Sequence, residues 1–486
     1  MNKHRATPER KRKYQTRWSV RVADRLAGLS ITVGGVGTIV AVSGVFLFLV
    51  WVVVPLFLPG SVENSASTRP AWVDGRPIHL AADEYRVLGW TCSREGTLRV
   101  FRLDSGEVLD TLRIPGGEML TAWSIDAVDD HVAFGYRDGT VRLGTIGFVT
   151  DFPDPSSLPQ NLAELPSDSL ATIGGAVVQR TEEGQLRRQR LRMVLDDPVQ
   201  VSQAAVRLID HVGAEAGPII TTLSGNGVLQ VDKMSQYENL LTGEVTTKVR
   251  GAELPFPRED MGGMPAYLRL SGAGTTLYAV WKDGRVLRYD TRDLDHSMVA
   301  ERIDLLKGDD AELTGLQMLL GRTTLIVGDS RGRVVTWFGH GGEDVRTEDG
   351  IELAAVRHFP GEPAPVTSIA PSPRSRIIAV GYANGDVRVF HATTGARLID
   401  IAPKTKGPIT ALSIAPKNDG LIALTQGALW HWDIDVGYPE ATLASLSTPV
   451  WYEGYEKPAH VWQSSSGTDD FEPKLGMWPL VFGTLK

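Results

Sequence analysis

Side chains able to do chemistry are plentiful in this chain, but their spacing does not assemble a known reaction centre. Histidines fall at positions 4, 79, 131, 211, 296, 340, 358, 391, 431 and 460. A helical zinc site needs two of them at i and i+4, and no pair has that spacing. They read as strand or loop histidines. Cys92 is the single cysteine, so neither a disulfide within the chain nor a cysteine-based zinc site is possible. It reads as a small, half-buried strand residue. The stretch GDSRGR (328–333) has a serine in a turn but lacks the G-x-S-x-G spacing of a nucleophile elbow. GGVGTI (34–39) has the glycines of a phosphate loop without its lysine, and lies in an apolar run. Carboxylates such as Asp138 and Asp283 sit in turns, where Asp suits the turn itself. No catalytic, cofactor-binding or metal-binding residue is assigned, no cofactor is implied, and the chain is not expected to be an enzyme.

The elements that would position such residues come in two unlike parts. Residues 1–28 carry nine Lys/Arg against Glu9 and Asp24, a surplus of seven; the whole chain stands at −8, which leaves −15 for the remainder. A basic tip on an acidic body points to a nucleic acid or a membrane surface, and the next segment decides for the membrane. Residues 29–58 hold no charge, and as a helix they would span roughly 45 Å at 1.5 Å per residue. That exceeds the roughly 20 residues that cross a bilayer, and is about twice the apolar run of a cleaved signal peptide. Pro55 and Pro59 mark its outer end. Gly34, Gly35, Gly37, Ala41 and Gly44 give it small-residue faces of the kind that pack against other membrane helices. Lys and Arg stay on the cytoplasmic side, so 1–28 are expected inside and the bulk of the chain outside. No nucleic-acid role is expected.

After a short linker (59–72) the texture changes to alternating strands joined by tight turns. In RIIAVGYANGDVRVFHATTGARLID (376–400), Asn384-Gly385 joins two strands, as expected of a two-residue turn with positive φ. Equivalent turn glycines stand at 96, 139, 184, 227, 284, 332, 385 and 427. A period of 40–50 residues with strand hairpins is that of a β-propeller blade. Each four-stranded sheet buries its faces against its neighbours in a ring. Residues 365–399 and 408–434 resemble WD40-type blades, the second ending in Trp432-Asp433. Gly339-His340 departs from the WD40 pattern, because it follows a hairpin instead of preceding a blade. Eight hairpins predict seven or eight blades over 73–449, with the Gly184 hairpin, whose second strand is basic (Arg187, Arg188, Arg190), the one expected in an insertion. A second insertion is expected around EDGIELAAVRHFPGEPAP (348–365). Most of the twelve tryptophans are expected to anchor the core. The fold class is therefore all-β: a seven- or eight-bladed WD40-like propeller behind one N-terminal transmembrane helix.

The tail reads WQSSSGTDDFEPK (462–474), then PLVFGTLK (479–486). Residues 450–474 read as an aromatic, acidic linker. Residues 475–486 read as the start of a second membrane helix, with Pro479 in its first turn and Val481, Phe482 and Leu485 facing apolar surroundings. These two motifs resemble the junction in long-form permease subunits of phosphate ABC transporters, the Pst type. There a first membrane helix precedes a large outer domain, and a similar linker opens the second helix. The resemblance is specific over about 25 residues. It implies a membrane-bound subunit of an ATP-driven phosphate importer. Its partners would be a second permease subunit, a cytoplasmic ATPase subunit and an extracytoplasmic phosphate-binding protein. The family's permease core has no positions in this sequence, so the chain is expected to be the N-terminal part of that subunit. The alternative is a single-pass membrane protein, complete as it stands, whose propeller is a sensor or scaffold.

Overall fold

The structure is a computed structural model. It describes the chain apart from residues 1–16, 74–75, 127, 168, 215–216, 239–244, 258–259, 403–406, 467–470 and 485–486. The basic tip with His4, the centre of the tail motif (467–470) and Leu485 thus lie outside the described residues. The chain divides into two units, 1–58 and 59–486.

In the first unit, α1 (Trp18–Val53) runs into a 3-10 turn at Val54–Phe57. It begins earlier than the uncharged run, so Arg21, Asp24 and Arg25 form its first turns. Thr32 and Thr38 return their hydroxyls to the carbonyls of Gly28 and Gly34, which satisfies them without solvent. No residue of the helix is buried, and nothing lies near Gly34, Gly35, Gly37 or Gly44. Its length and hydropathy suffice to cross a membrane.

The second unit is a β-propeller built from antiparallel meanders. Seven sheets of four or more strands are present among the described residues. Sheet I comprises His79–Ala82, Leu88–Cys92, Thr97–Arg102 and Val108–Arg113. Sheet II starts from Leu120–Ile125, His131–Tyr136 and Thr140–Asp151. The insertion extends it through Leu186–Leu195, Ala176–Arg180 and Leu170–Ile173, and α2 (Gln160–Ala163) lies within that insertion. Sheets III (Val206–Glu253), IV (Tyr267–Asp304), V (Leu313–Phe359) and VI (Val366–Ile401) are plain four-stranded meanders. Sheet VII takes three strands from Ala411–Ile414, Gly420–Thr425 and Ala428–Asp435. Its outer strand, Ser61–Thr68, comes from the other end of the chain.

That last pairing corrects the expected linker 59–72. Ser61–Thr68 (SVENSAST) is polar and almost wholly exposed, because an outermost strand buries neither face. It shows no apolar alternation, so the period-2 signal is missing. Two further expectations change. The Gly385 turn has a three-residue loop: Tyr382 N–H donates to Asp386 O (3.0 Å) and Gly385 N–H to Tyr382 O (3.1 Å). Only Gly385 has positive φ there (92°), which fits a type I turn closed by a left-handed glycine. Within 348–365, Glu352–Phe359 is the outer strand of sheet V; the inserted loop precedes it.

That loop is tied down by charge. The Arg288 side chain is fully buried, pairs with Glu301 (2.8 Å) and Asp349 (2.5 Å), and donates to the Ile351 carbonyl. Asp349 lies in the loop and Glu301 on the outer strand of sheet IV, so one guanidinium joins two sheets.

Apolar clusters fill the spaces between neighbouring sheets, for example Ala379, Val389 and Ile399 of sheet VI against Leu412, Ile414 and Leu421 of sheet VII. Glycines set how closely sheets approach. A Cβ on Gly381 would lie 2.6 Å from Ile409 Cγ2, and one on Gly135 or Gly328 equally close to Val206 or Val366 of the next sheet. Gly381→Val is therefore expected to cost about 1–3 kcal/mol by overpacking. In urea unfolding the midpoint should fall with m unchanged; an unshifted midpoint would disprove this role for the glycine.

Candidate functional site

The inner strands of the sheets surround an axial cavity of about 270 Å³. Sheet I contributes His79, sheet II Trp123 to Asp126, sheet III Asp210, sheet IV Arg269, sheet V Gln317 to Arg322, and sheets VI and VII their first strands. Its charges are knitted together. Arg322 stands in the turn after the first strand of sheet V with φ of 51°. From there it pairs with Asp210 and with Asp126 (3.4 Å), and donates to Leu270 O (3.2 Å). Asp210 also accepts from Leu270 N–H and from Ser124 Oγ, each at 2.7 Å. Burial alone would raise its carboxyl, but Arg322, Arg269 and the Leu270 amide hold it below the ordinary aspartate range. Sheets II to V are thereby clamped across the axis.

Ser124, His211 and Asp210 have the residue types of a serine nucleophile but not its wiring. Ser124 gives its proton to Asp210, so its oxygen accepts from His211 Nδ1 at 3.0 Å. A nucleophilic serine needs the histidine to take its proton. Burial lowers the His211 imidazole to about 4, keeping it neutral. The cluster is a structural clamp, with two guanidiniums facing two carboxylates.

A second assembly is the tail. Val450 bridges to Ala459, and Trp462–Gln463 pairs with Lys474–Leu475, so the two ends of the tail motif clasp each other. Trp451 packs on Phe338 and His340 of sheet V. Glu453 bonds Thr324 and pairs with Arg376 (2.5 Å). Trp451 and Glu453 thus pack on the propeller within a stretch expected to be a linker. Gly476 and Met477 donate to Val461 O and Leu446 O, and Trp478 Nε1 donates to Ser447 O (2.9 Å). These bonds seat the start of α4 (Trp478–Thr484) on α3 (Leu443–Ser447). Leu480, Val481 and Phe482 are exposed.

Glu472 of the motif lies 3.4 Å from the buried His391. Burial raises its carboxyl to about 7, opposed by Thr393 and Arg376 and reinforced by Glu440 and Glu453. Burial, then Arg376 and Arg357, push His391 down to about 3. A carboxyl raised on folding stabilises the docked state below its unfolded value, and that contribution is lost as pH rises through the folded value. Docking of residues 471–476 is therefore expected to loosen from about pH 5 to above about 7. Hydrogen exchange corrected for its intrinsic pH dependence should show this. Glu472→Gln should keep the segment protected at high pH; equal pH dependence in both proteins would count against it.

Other residues singled out in the sequence have ordinary structural roles. Cys92 is fully buried, more than expected, and burial pushes its thiol up to about 12. Asp138 and Asp283 accept turn N–H groups from Thr140 and Arg285. All eight turn glycines have positive φ. His79 packs on Trp90 and His460 on Trp478. Arg188 pairs with Asp151 (2.7 Å) and Arg187 stacks 3.4 Å over Tyr85, so these two are committed. Trp90, Trp281, Trp337, Trp430 and Trp432 are buried, while Trp18, Trp51, Trp462 and Trp478 are exposed. The axial cluster went unseen in the sequence. Asp126, Asp210 and Arg322 are up to 196 residues apart, and nothing local marks them.

No protein-family model and no curated protein matches the chain. Among solved structures it is similar to the Cps50 (Swd1) beta-propeller domain of Myceliophteria thermophila. The identity is 13% and the TM-score 0.46, over 76% of this chain and 99% of that one.

Proposed function

We propose that this chain is the N-terminal part of the membrane permease subunit of an ATP-driven phosphate importer. In this reading α1 anchors it in a bacterial cytoplasmic membrane with the N-terminus inside. The sheets form a seven-bladed ring outside, serving as a docking or regulatory module. The observation that carries the reading is the tail, Trp462–Lys474 followed by Pro479–Lys486, which resembles the propeller-to-helix junction of that family. Two features support it. The outer strand of sheet VII begins at Ser61 beside Asp435, at the end of the sheets where the tail also packs, so both membrane-directed segments leave from one face. Pro479 sits in the first turn of α4, whose apolar residues are uncovered. The partners would be the second permease subunit, the ATPase and the phosphate-binding protein.

The test is uptake of radiolabelled phosphate at micromolar supply in cells lacking the gene. High-affinity uptake should be lost and return with the gene. Unchanged uptake would sink the proposal and leave an anchored propeller scaffold. Protease added to intact spheroplasts should digest the propeller and spare an N-terminal epitope.

A further inference from the structure

We infer that the connection from sheet VII to the tail, residues 436–449, rests on the surface of the phospholipid bilayer that α1 crosses, at the boundary between headgroups and acyl chains. Tyr438 and Leu443 are the large side chains it presents. They are 57% and 75% exposed, and Leu443 opens α3. The connection is bracketed by both segments that point to a membrane. Gly60 packs against its start, where a Cβ would lie 2.7 Å from Asp435 O and 3.2 Å from Val436 Cα. Near its end the Met477 N–H donates to Leu446 O (3.0 Å) and Trp478 Nε1 donates to Ser447 O. The exposed residues 477–482 therefore continue the same patch.

Charge sets this patch apart. In an acidic domain, residues 436–450 hold one charged side chain, Glu440, and residues 475–484 hold none. Glu440 is half-buried, and burial raises its carboxyl. Asp435, which accepts from Gly437 N–H, stands at the edge. The corresponding connections after the third strands of sheets I, IV and V are charged. Sheet I has Asp104 and Glu107 there, sheet IV Arg292, Asp293 and Asp295, and sheet V Glu343, Asp344 and Arg346. That of sheet VI, Ala392–Ala396, is uncharged as well, but none of its residues is exposed, and Thr394 Oγ1 donates to Pro439 O (3.0 Å).

Its hydroxyls are closed internally, as surroundings poor in water require. Thr442 accepts from Ser445 N–H and caps α3. Ser447 and Thr448 return their protons to the carbonyls of Leu443 and Ala444, each at 2.7 Å, and Thr484 to that of Leu480 (3.0 Å). Reach along the chain fixes the depth. The uncharged run that starts after Arg25 continues to Glu63. Gly60 stands three residues beyond the 3-10 turn, at most about 11 Å of extended chain. The polar zone on each side of a bilayer is itself roughly 5–7 Å deep. What packs on Gly60 is therefore held at that zone. Tyr and Trp, apolar rings with a polar tip, concentrate there, and an uncharged patch carrying Tyr438 and Trp478 suits it.

The inference rests on α1 as a membrane anchor and not on the importer reading, and its test involves no phosphate. The full chain is reconstituted into phosphatidylcholine nanodiscs with a nitroxide label on Leu443→Cys, on Tyr438→Cys or on Asn384→Cys. Cys92 is fully buried and is expected to stay unlabelled. Asn384 is exposed in the turn between the second and third strands of sheet VI, at the opposite end of the sheets, and serves as the reference. Oxygen concentrates in lipid and a nickel chelate in water. The ratio of oxygen to nickel accessibility should be several-fold higher at 443 and 438 than at 384. An equal ratio in protein that co-elutes with the nanodiscs overturns the inference and leaves the anchor standing. Shielding of residue 443 from both reagents would reveal a protein cover and would equally overturn it. A chain that does not co-elute overturns the anchor and this inference together. Should Leu443→Cys fail to fold, the label on Tyr438→Cys decides by the same ratio.

Discussion

A soluble chain beginning at Gly60 is expected to unfold cooperatively as a monomer, whereas one beginning at Pro70 is expected to lose on the order of 2–4 kcal/mol and to self-associate. The two differ by the strand that completes sheet VII. Ser61–Thr68 pairs along Leu429–Asp435 with a bulge between Val62 and Asn64, and Asn64 donates to Asp433 at 3.1 Å. The strand has little apolar surface to contribute, so its stabilisation comes from backbone hydrogen bonds, each worth about 1 kcal/mol net. Ordering eight residues offsets part of that. Its larger effect is to cover an edge. Without it, the N–H and C=O groups of Leu429–Asp435 that face away from Gly420–Thr425 would stand unpaired, a template for another chain. Urea unfolding and sedimentation velocity of both chains would check this. Indistinguishable midpoints and a monomeric Pro70 chain would show the strand to be dispensable. The strand begins three residues after the 3-10 turn that follows α1.

Arg288→Leu is expected to destabilise the propeller by about 3–5 kcal/mol. The guanidinium is wholly buried, and its partners Glu301 and Asp349 keep only 11% and 3% of their side chains exposed. Removing the cation leaves two carboxylates facing each other with little water. Arg288 holds the Asp349 carboxyl below the usual range against the effect of burial, and that balance would be lost. Replacing the trio together, as Arg288→Leu with Glu301→Leu and Asp349→Asn, should restore most of the loss, because the cost lies in the uncompensated charge and not in the missing pair. Equilibrium unfolding of the single and triple variants tests this. A single variant within about 0.5 kcal/mol of the native chain, the scale of an ordinary surface change, would refute it.

Much of the propeller was legible along the chain, because its strands are short, its period is regular and its hairpins need glycine at one backbone position. Gly96, Gly139, Gly227, Gly284, Gly332, Gly385 and Gly427 mark the seven sheets, and Gly184 marks the insertion. The long apolar helix is equally local, since hydropathy is a property of consecutive residues. What failed was non-local or lacked apolar contrast. Ser61–Thr68 pairs across more than 360 residues and is polar on both faces, so it read as linker. The tail motif showed no sign that its ends would clasp and that Glu472 would reach His391.

By itself the sequence determined the parts: a long apolar helix and a repeat of strand hairpins. Only the tertiary structure decided which charges meet. It set Arg322 against Asp126 and Asp210 across the axis and buried Arg288 between two sheets. The physical reason is distance along the chain. Periodicity and turn chemistry act within a few residues, whereas a charge is neutralised by whatever the fold brings within a few ångströms.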